Sequence, residues 1–142
     1  MTTPRPLAAE PAWVARPAPA PRRRRALLAD TDGATLTVMG HRLGRSGFTV
    51  STVRTGTDAL AAVLASPPDV VVAASRLPGL DGLRLFERLR DELASPPPVV
   101  LVFWPGNAAA VATALEAGVA DVIVRPLSLV EAVARIRRFV PS

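Results

Sequence analysis

Cysteine is absent from the 142 residues, which removes disulfides, thiolate zinc sites and cysteine nucleophiles together. Lysine is absent as well, and neither G-x-G-x-x-G nor G-x-x-x-x-G-K-S/T occurs, so nucleotide binding lacks its usual phosphate cradles. The single histidine, His41, leaves little scope for a histidine metal site and reads as an ordinary polar residue on a helix. The longest apolar runs, such as Val70 to Ala74 and Val99 to Trp104, fall far short of the roughly 20 residues a membrane helix needs. No membrane partner is expected. Pro4, Pro6, Pro11, Pro17, Pro19 and Pro21 break up any compact apolar core of a secretory signal, so the expected location is the cytoplasm.

What is present is enough apolar material for one core: 49% of residues are hydrophobic, with a mean hydropathy of +0.30. The net charge of +5 is unevenly placed. Residues 1–25 carry six arginines (Arg5, Arg16 and Arg22 to Arg25) against Glu10, whereas the remaining 11 arginines face 11 acids. Residues 1–24 are rich in Pro, Ala and Arg without apolar periodicity and are expected to form a disordered tail, leaving one domain over 25–142.

From Arg25 onward, short apolar runs alternate with stretches of helical period, the pattern of a parallel sheet wrapped by helices. Strands are predicted at Ala26 to Ala29, Phe48 to Val53, Val70 to Ala74, Val99 to Phe103 and Val122 to Val124. Their near-continuous Val and Leu point to a sheet covered on both faces. Helices are predicted at about 34–46, 57–66, 82–94, 107–117 and 128–139. Ser128 and Glu131 form an S-x-x-E capping box for the last, which Pro141 ends. Asp81 caps the third, and Pro96 to Pro98 stop it.

This (βα)5 order carries A-L-L-A-D at the first strand, P-D-V-V-V and R-L-P-G-L-D-G around the third, and A-L-E-A-G-V-A-D-V-I-V-R-P-L-S at the fourth helix and fifth strand. With these three pieces in order, the chain resembles the response-regulator receiver family from about Ala26 to Val140. The resemblance implies a doubly wound α/β fold of flavodoxin-like type, with five parallel strands and the ligand site beyond their carboxyl ends. It also implies an acidic pair holding Mg²⁺ after the first strand and a phosphoryl-accepting aspartate ending the third. A Ser or Thr ending the fourth strand and a Lys after the fifth would contact the phosphoryl oxygens.

Carried over residue by residue, these positions are occupied by Asp30, Thr31, Ala74, Phe103 and Arg125, with Asp32 one place beyond Thr31 and Pro126 retained. The aromatic that senses switching in the family corresponds to Val122. Ala74 has no nucleophilic oxygen, and phosphoryl transfer needs one in line with its donor. Asp30 alone is a weak magnesium site, so neither a metal nor another cofactor is expected. Asp69 lies five residues back along the same strand, roughly 17 Å away at about 3.3 Å per residue, at the wrong end of the sheet. Asp30 and Asp32 are read as a turn and a helix N-cap in preference to a residual cation site. Arg125 is read either as an anion binder or as a solvated or ion-paired side chain. Phe103 is read as core filling the emptied pocket, Trp104 as either core or partner surface, and Ser75 as a loop residue in preference to a hydroxyl acceptor.

The expected function is that of a stand-alone pseudo-receiver of a two-component phosphorelay system, independent of phosphorylation. It would be no enzyme, and would act by binding a protein partner or by dimerising through the face 107–140. On that face Ala108, Ala109, Ala110, Val111 and Ala114 are small enough for close helix contact. The alternatives are weak, sequence-independent nucleic-acid association through Arg22 to Arg25, and an ordinary phospho-acceptor regulator in a different register. With no helix-turn-helix after Pro141, sequence-specific DNA binding is not expected.

Overall fold

The computed structural model describes residues 24–126 and 128–140. Of the tail expected over residues 1–24, residues 1–23 lie outside the described residues, and so do Arg22 and Arg23 of its expected nucleic-acid contact and the helix stop at Pro141. Ten elements alternate: β1 (Arg24–Ala29), α1 (Gly33–Arg45), β2 (Phe48–Val53), α2 (Gly56–Ala65), β3 (Val70–Ala74), α3 (Gly82–Glu92), β4 (Val99–Phe103), α4 (Ala108–Ala117), β5 (Asp121–Val124) and α5 (Leu129–Arg137). The strands form one parallel sheet in the order β2-β1-β3-β4-β5, the doubly wound topology expected.

Strand alternation sends the core to both faces. Leu27, Val71, Val99 and Leu101 pack with Leu60, Val63, Leu85 and Leu89 under α2 and α3, while α4 adds Ala114. Leu28, Val72, Val100 and Val102 pack on the other face with Leu36, Met39, Leu43, Val133 and Ile136 from α1 and α5. The three central strands are buried as expected. The edges are not: Thr49, Ser51 and Thr52 of β2 and Val124 of β5 are exposed, because an edge strand has a neighbour on one side only.

Boundaries moved where local bonds decide them. β1 starts at Arg24, inside the expected tail, and pairs with Phe48. The Arg25 N–H donates to the Asp69 carboxylate at 2.7 Å, and its guanidinium donates to the carbonyls of Pro67 and Ser66. These contacts bind the end of the arginine run into the fold and place Asp69 at the amino end of the sheet, as read from spacing. α5 ends at Arg137, short of the expected 139. Its Ser128 hydroxyl accepts from the Glu131 N–H at 3.4 Å, but the Glu131 carboxylate accepts from Arg135 at 3.0 Å, so the observed cap is the serine half of the box.

Candidate functional site

At the carboxyl end of the sheet the chain leaves β1 through Asp30, and the Asp30 N–H donates to the Val53 carbonyl at 3.2 Å. Asp30 Oδ1 accepts from the Asp32 N–H at 3.0 Å, a local turn of the kind aspartate favours. Asp32 then caps α1, accepting from the Ala34 N–H at 3.0 Å and the Thr35 hydroxyl at 2.8 Å. These bonds, from the Thr35 hydroxyl first and the Ala34 N–H second, hold the Asp32 carboxyl below its ordinary value of 3.8, and Arg125 adds a smaller push in the same direction.

Arg125 follows β5, and its N–H completes the ladder to the Phe103 carbonyl at 2.9 Å. Its guanidinium turns inward. Nη2 donates to Asp30 Oδ2, Nη1 donates to the Thr35 hydroxyl at 3.0 Å, and the plane lies 4.7 Å from the centre of the Trp104 ring. With Arg125 at 8% exposure this is a buried pair, which removes the solvated reading of Arg125. Thr31 is exposed, and it is its carbonyl that serves, accepting from Arg54 at 3.0 Å.

Ala74 ends β3 as a buried methyl, and beside it lies a void of about 10 Å³ bounded by Asp30, Thr35, Leu36, Met39, Val72 and Val102. The R-L-P-G-L-D-G turn comes close to this point: Gly79 takes a positive φ of 77°, and a Cβ on Gly82 would lie 2.5 Å from the Ala74 carbonyl oxygen. Phe103 is buried, as expected, in the same apolar cluster as Ala74. There it borders a cleft of about 350 Å³ with Ser75, Arg76, Asp81, Leu83 and Asn107, and it does not line the void of about 10 Å³. Asp81 caps α3 through the Arg84 N–H at 2.9 Å, and His41 is exposed on α1.

This donor set does not fit Mg²⁺. Each carboxylate oxygen of Asp30 already accepts from the protein, Thr31 and Ala74 bring no carboxylate, and among the described residues no group of three acids or histidines converges. The structure therefore brings Asp30, Asp32, Arg125 and Trp104 together, leaves Thr31 and Phe103 out of that cluster, and adds Thr35, which spacing alone did not single out. Its sequence signal is D-x-x-T, an aspartate N-cap with a hydroxyl three places on. On the face 107–140, Ala108, Ala109 and Ala110 are exposed, but Ala114 is fully buried against the sheet and is no contact residue.

The family model described as the response regulator receiver domain matches residues 26–137. The transcriptional regulatory protein CseB of Streptomyces avermitilis is 38% identical over 95 residues, covering 67% of this chain and 40% of that protein. The DNA-binding response regulator MtrA of Mycobacterium bovis is 33% identical over 115 residues, covering 81% of this chain and 50% of that protein. The chain thus spans half or less of the length of these relatives. Among solved structures, the receiver domain of NtrX from Brucella abortus superimposes with a TM-score of 0.74 at 25% identity, covering 80% of this chain and 96% of that one. The receiver domain of the Francisella response regulator 1452 gives 0.76 at 23% identity, covering 82% and 95%, a likeness of fold alone.

Proposed function

Because the chain belongs to the response-regulator receiver family, we propose that it is a signalling module that has stopped being switched by aspartyl phosphate and acts by binding a protein partner. The observation that carries this reading is Ala74 at the acceptor position beside an Asp30–Arg125 pair that is already closed. The two charges that a phosphoryl group and its metal would engage neutralise each other, and the side chain of Ala74 offers no oxygen at the acceptor position to form the new P–O bond. On this reading the module is not an enzyme, uses no Mg²⁺, and has one electrostatic state where a switchable receiver has two.

The test is an amide NMR titration of the full chain with Mg²⁺ and then beryllofluoride, a phosphoryl mimic that needs an aspartate acceptor. No shift at Asp30, Ala74 or Arg125 is expected, and saturable shifts there overturn the proposal. A companion variant, Ala74→Asp, restores an acceptor but leaves Arg125 on Asp30. Incubated with acetyl phosphate and Mg²⁺, it is expected to gain no phosphate mass, and stoichiometric labelling would show that the Asp30 pair opens on demand.

A further inference from the structure

Charge in the folded part of the chain is sorted by layer. On one face of the sheet α1 and α5 carry four arginines against a single acid, Glu131, whereas α2, α3 and α4 on the other carry three arginines against five acids. β1 and β2 contain no acid. The bias sharpens at the amino end of the sheet, because helices that connect parallel strands bring their last turns back to that end. Arg42 and Arg45 lie in the last turn of α1, Arg137 ends α5 and Arg138 follows it. Three residues after Arg45, Phe48 pairs with Arg24. Leu43 and Ile136, the sequence neighbours of Arg42 and Arg137, share one buried cluster with Ala26, Phe48 and Val140, so five arginines surround a single patch of core.

Among the described residues none of these five is in an ion pair. Asp69, just before β3, accepts from the Arg25 N–H, and Asp121, at the start of β5, accepts from Arg135, so both acids are already engaged. The carbonyl end of a helix is worth about half a negative charge, and two unpaired arginines at the end of each helix exceed it. The surplus is positive, exposed at Arg42, Arg45, Arg137 and Arg138, and continuous in sequence with Arg22 and Arg23.

We propose that this end of the molecule binds nucleic acid through its phosphate backbone, without reading the bases. Contact through the run Arg22 to Arg25 alone would need nothing from the fold. Here Arg24 is paired into the sheet, and the arginines of α1 and α5 extend the run into a folded surface. The chain has no lysine, and each guanidinium offers a planar fork that matches two phosphate oxygens. The apolar anchor that a protein interface or a lipid surface requires is missing. Leu43 and Ile136 are buried, and none of the large exposed apolar side chains lies in the last turn of α1 or α5. The acidic layer of α2, α3 and α4 turns away from such a polyanion and orients the domain on it.

The test is fluorescence anisotropy of a labelled DNA duplex of about 20 base pairs with the full chain, over a series of salt concentrations. Binding is expected at low salt, with log K falling against log salt at a slope of about −4, as for four to five neutralised phosphates. Arg42→Gln, Arg45→Gln, Arg137→Gln and Arg138→Gln together are expected to reduce the slope by about three and the affinity by about tenfold or more. Lysine at the same four positions keeps the charge and is expected to keep the slope, which separates lost charge from lost fold. Arg76→Gln with Arg84→Gln, at the carboxyl end of the sheet, is expected to change affinity by less than about twofold. Absence of binding at low salt, a slope that the four glutamines leave unmoved, or complete loss from Arg22→Gln with Arg23→Gln overturns the proposal. So does a preference above about tenfold between unrelated duplexes. Tighter capture by phosphatidylserine vesicles or by polyglutamate at equal charge also overturns it, and assigns the surface to a membrane or to an acidic protein. None of these outcomes depends on beryllofluoride, so this surface can fail while the phosphorylation-independent reading stands, and the reverse.

Discussion

Two ion pairs involve the last strand and helix, one joining the end of β5 to β1 and one joining α5 to the start of β5. Arg125, just after β5, meets Asp30 at the end of β1, and both side chains are under a tenth exposed. Arg135 of α5 meets Asp121 at the start of β5 at 3.1 Å, with 38% of the arginine side chain still in solvent and a second carboxylate, Glu131, at 3.0 Å. The groups are chemically alike. What differs is the water around them: removing one partner of the exposed pair leaves a charge that solvent can take over, whereas removing one partner of the buried pair leaves a charge with nowhere to go. The buried pair lies beside Ala74 at the carboxyl end of the sheet and supplies its own countercharge, which is what supports the proposal that this site no longer receives charge from outside.

The largest effect expected follows directly. Arg125→Met strands Asp30 in the interior and should lower unfolding free energy by about 3 kcal/mol, read from urea denaturation at unchanged slope. A loss well under 1 kcal/mol would mean that water reaches Asp30 and that the two pairs are equivalent. The double variant Asp30→Asn, Arg125→Met sharpens the point. The carboxamide oxygen still accepts from the Asp32 N–H and needs no cation, so stability should return to within about 1 kcal/mol of the parent. Failure to recover would place the cost in lost packing on Trp104 and not in an unpaired charge. Arg135→Ala should lose less than Arg125→Met under the same conditions, and a loss equal to it breaks the comparison.

How much of this was legible in the sequence depends on how local the cause is. β3 and β4 fall where their apolar runs lie, because a run buried on both faces is its own signal, and β2 keeps its expected bounds as a half-exposed edge strand. Asp32 and Asp81 were readable as caps because a cap involves neighbours in sequence. The Asp30–Arg125 contact spans 95 residues, and only the doubly wound topology brings its halves together. The spacing that placed Asp30 and Arg125 at the same end of the sheet could not choose between an arginine reaching for an anion and one folded back onto Asp30. Phe103 was readable as core beside Ala74, and the two share one apolar cluster. Burial follows from composition, whereas the layer follows from strand parity, which sends Val99, Leu101 and Phe103 to one face and Val100 and Val102 to the other.

Asp32 supplies the smallest and most selective effect, because it borders the buried pair without belonging to it. Its carboxyl is held below 3.8 mainly by the Thr35 hydroxyl and the Ala34 N–H, so the ionised form binds the start of α1 more tightly than the protonated form does. A pKa lower in the folded than in the unfolded chain gives a contribution fully present above the unfolded value and lost as pH falls through the folded one. Asp32→Asn keeps a side-chain oxygen for the cap and removes only the charge. Its deficit against the parent in urea unfolding should therefore stay constant from neutral pH to about pH 5 and then shrink below about pH 4 as the parent carboxyl takes up its proton. A deficit unchanged through that range would trace the cost to cap geometry. A deficit larger than that of Arg125→Met would show that the charge on the rim matters more than the pair beneath it, reversing the ranking that burial predicts.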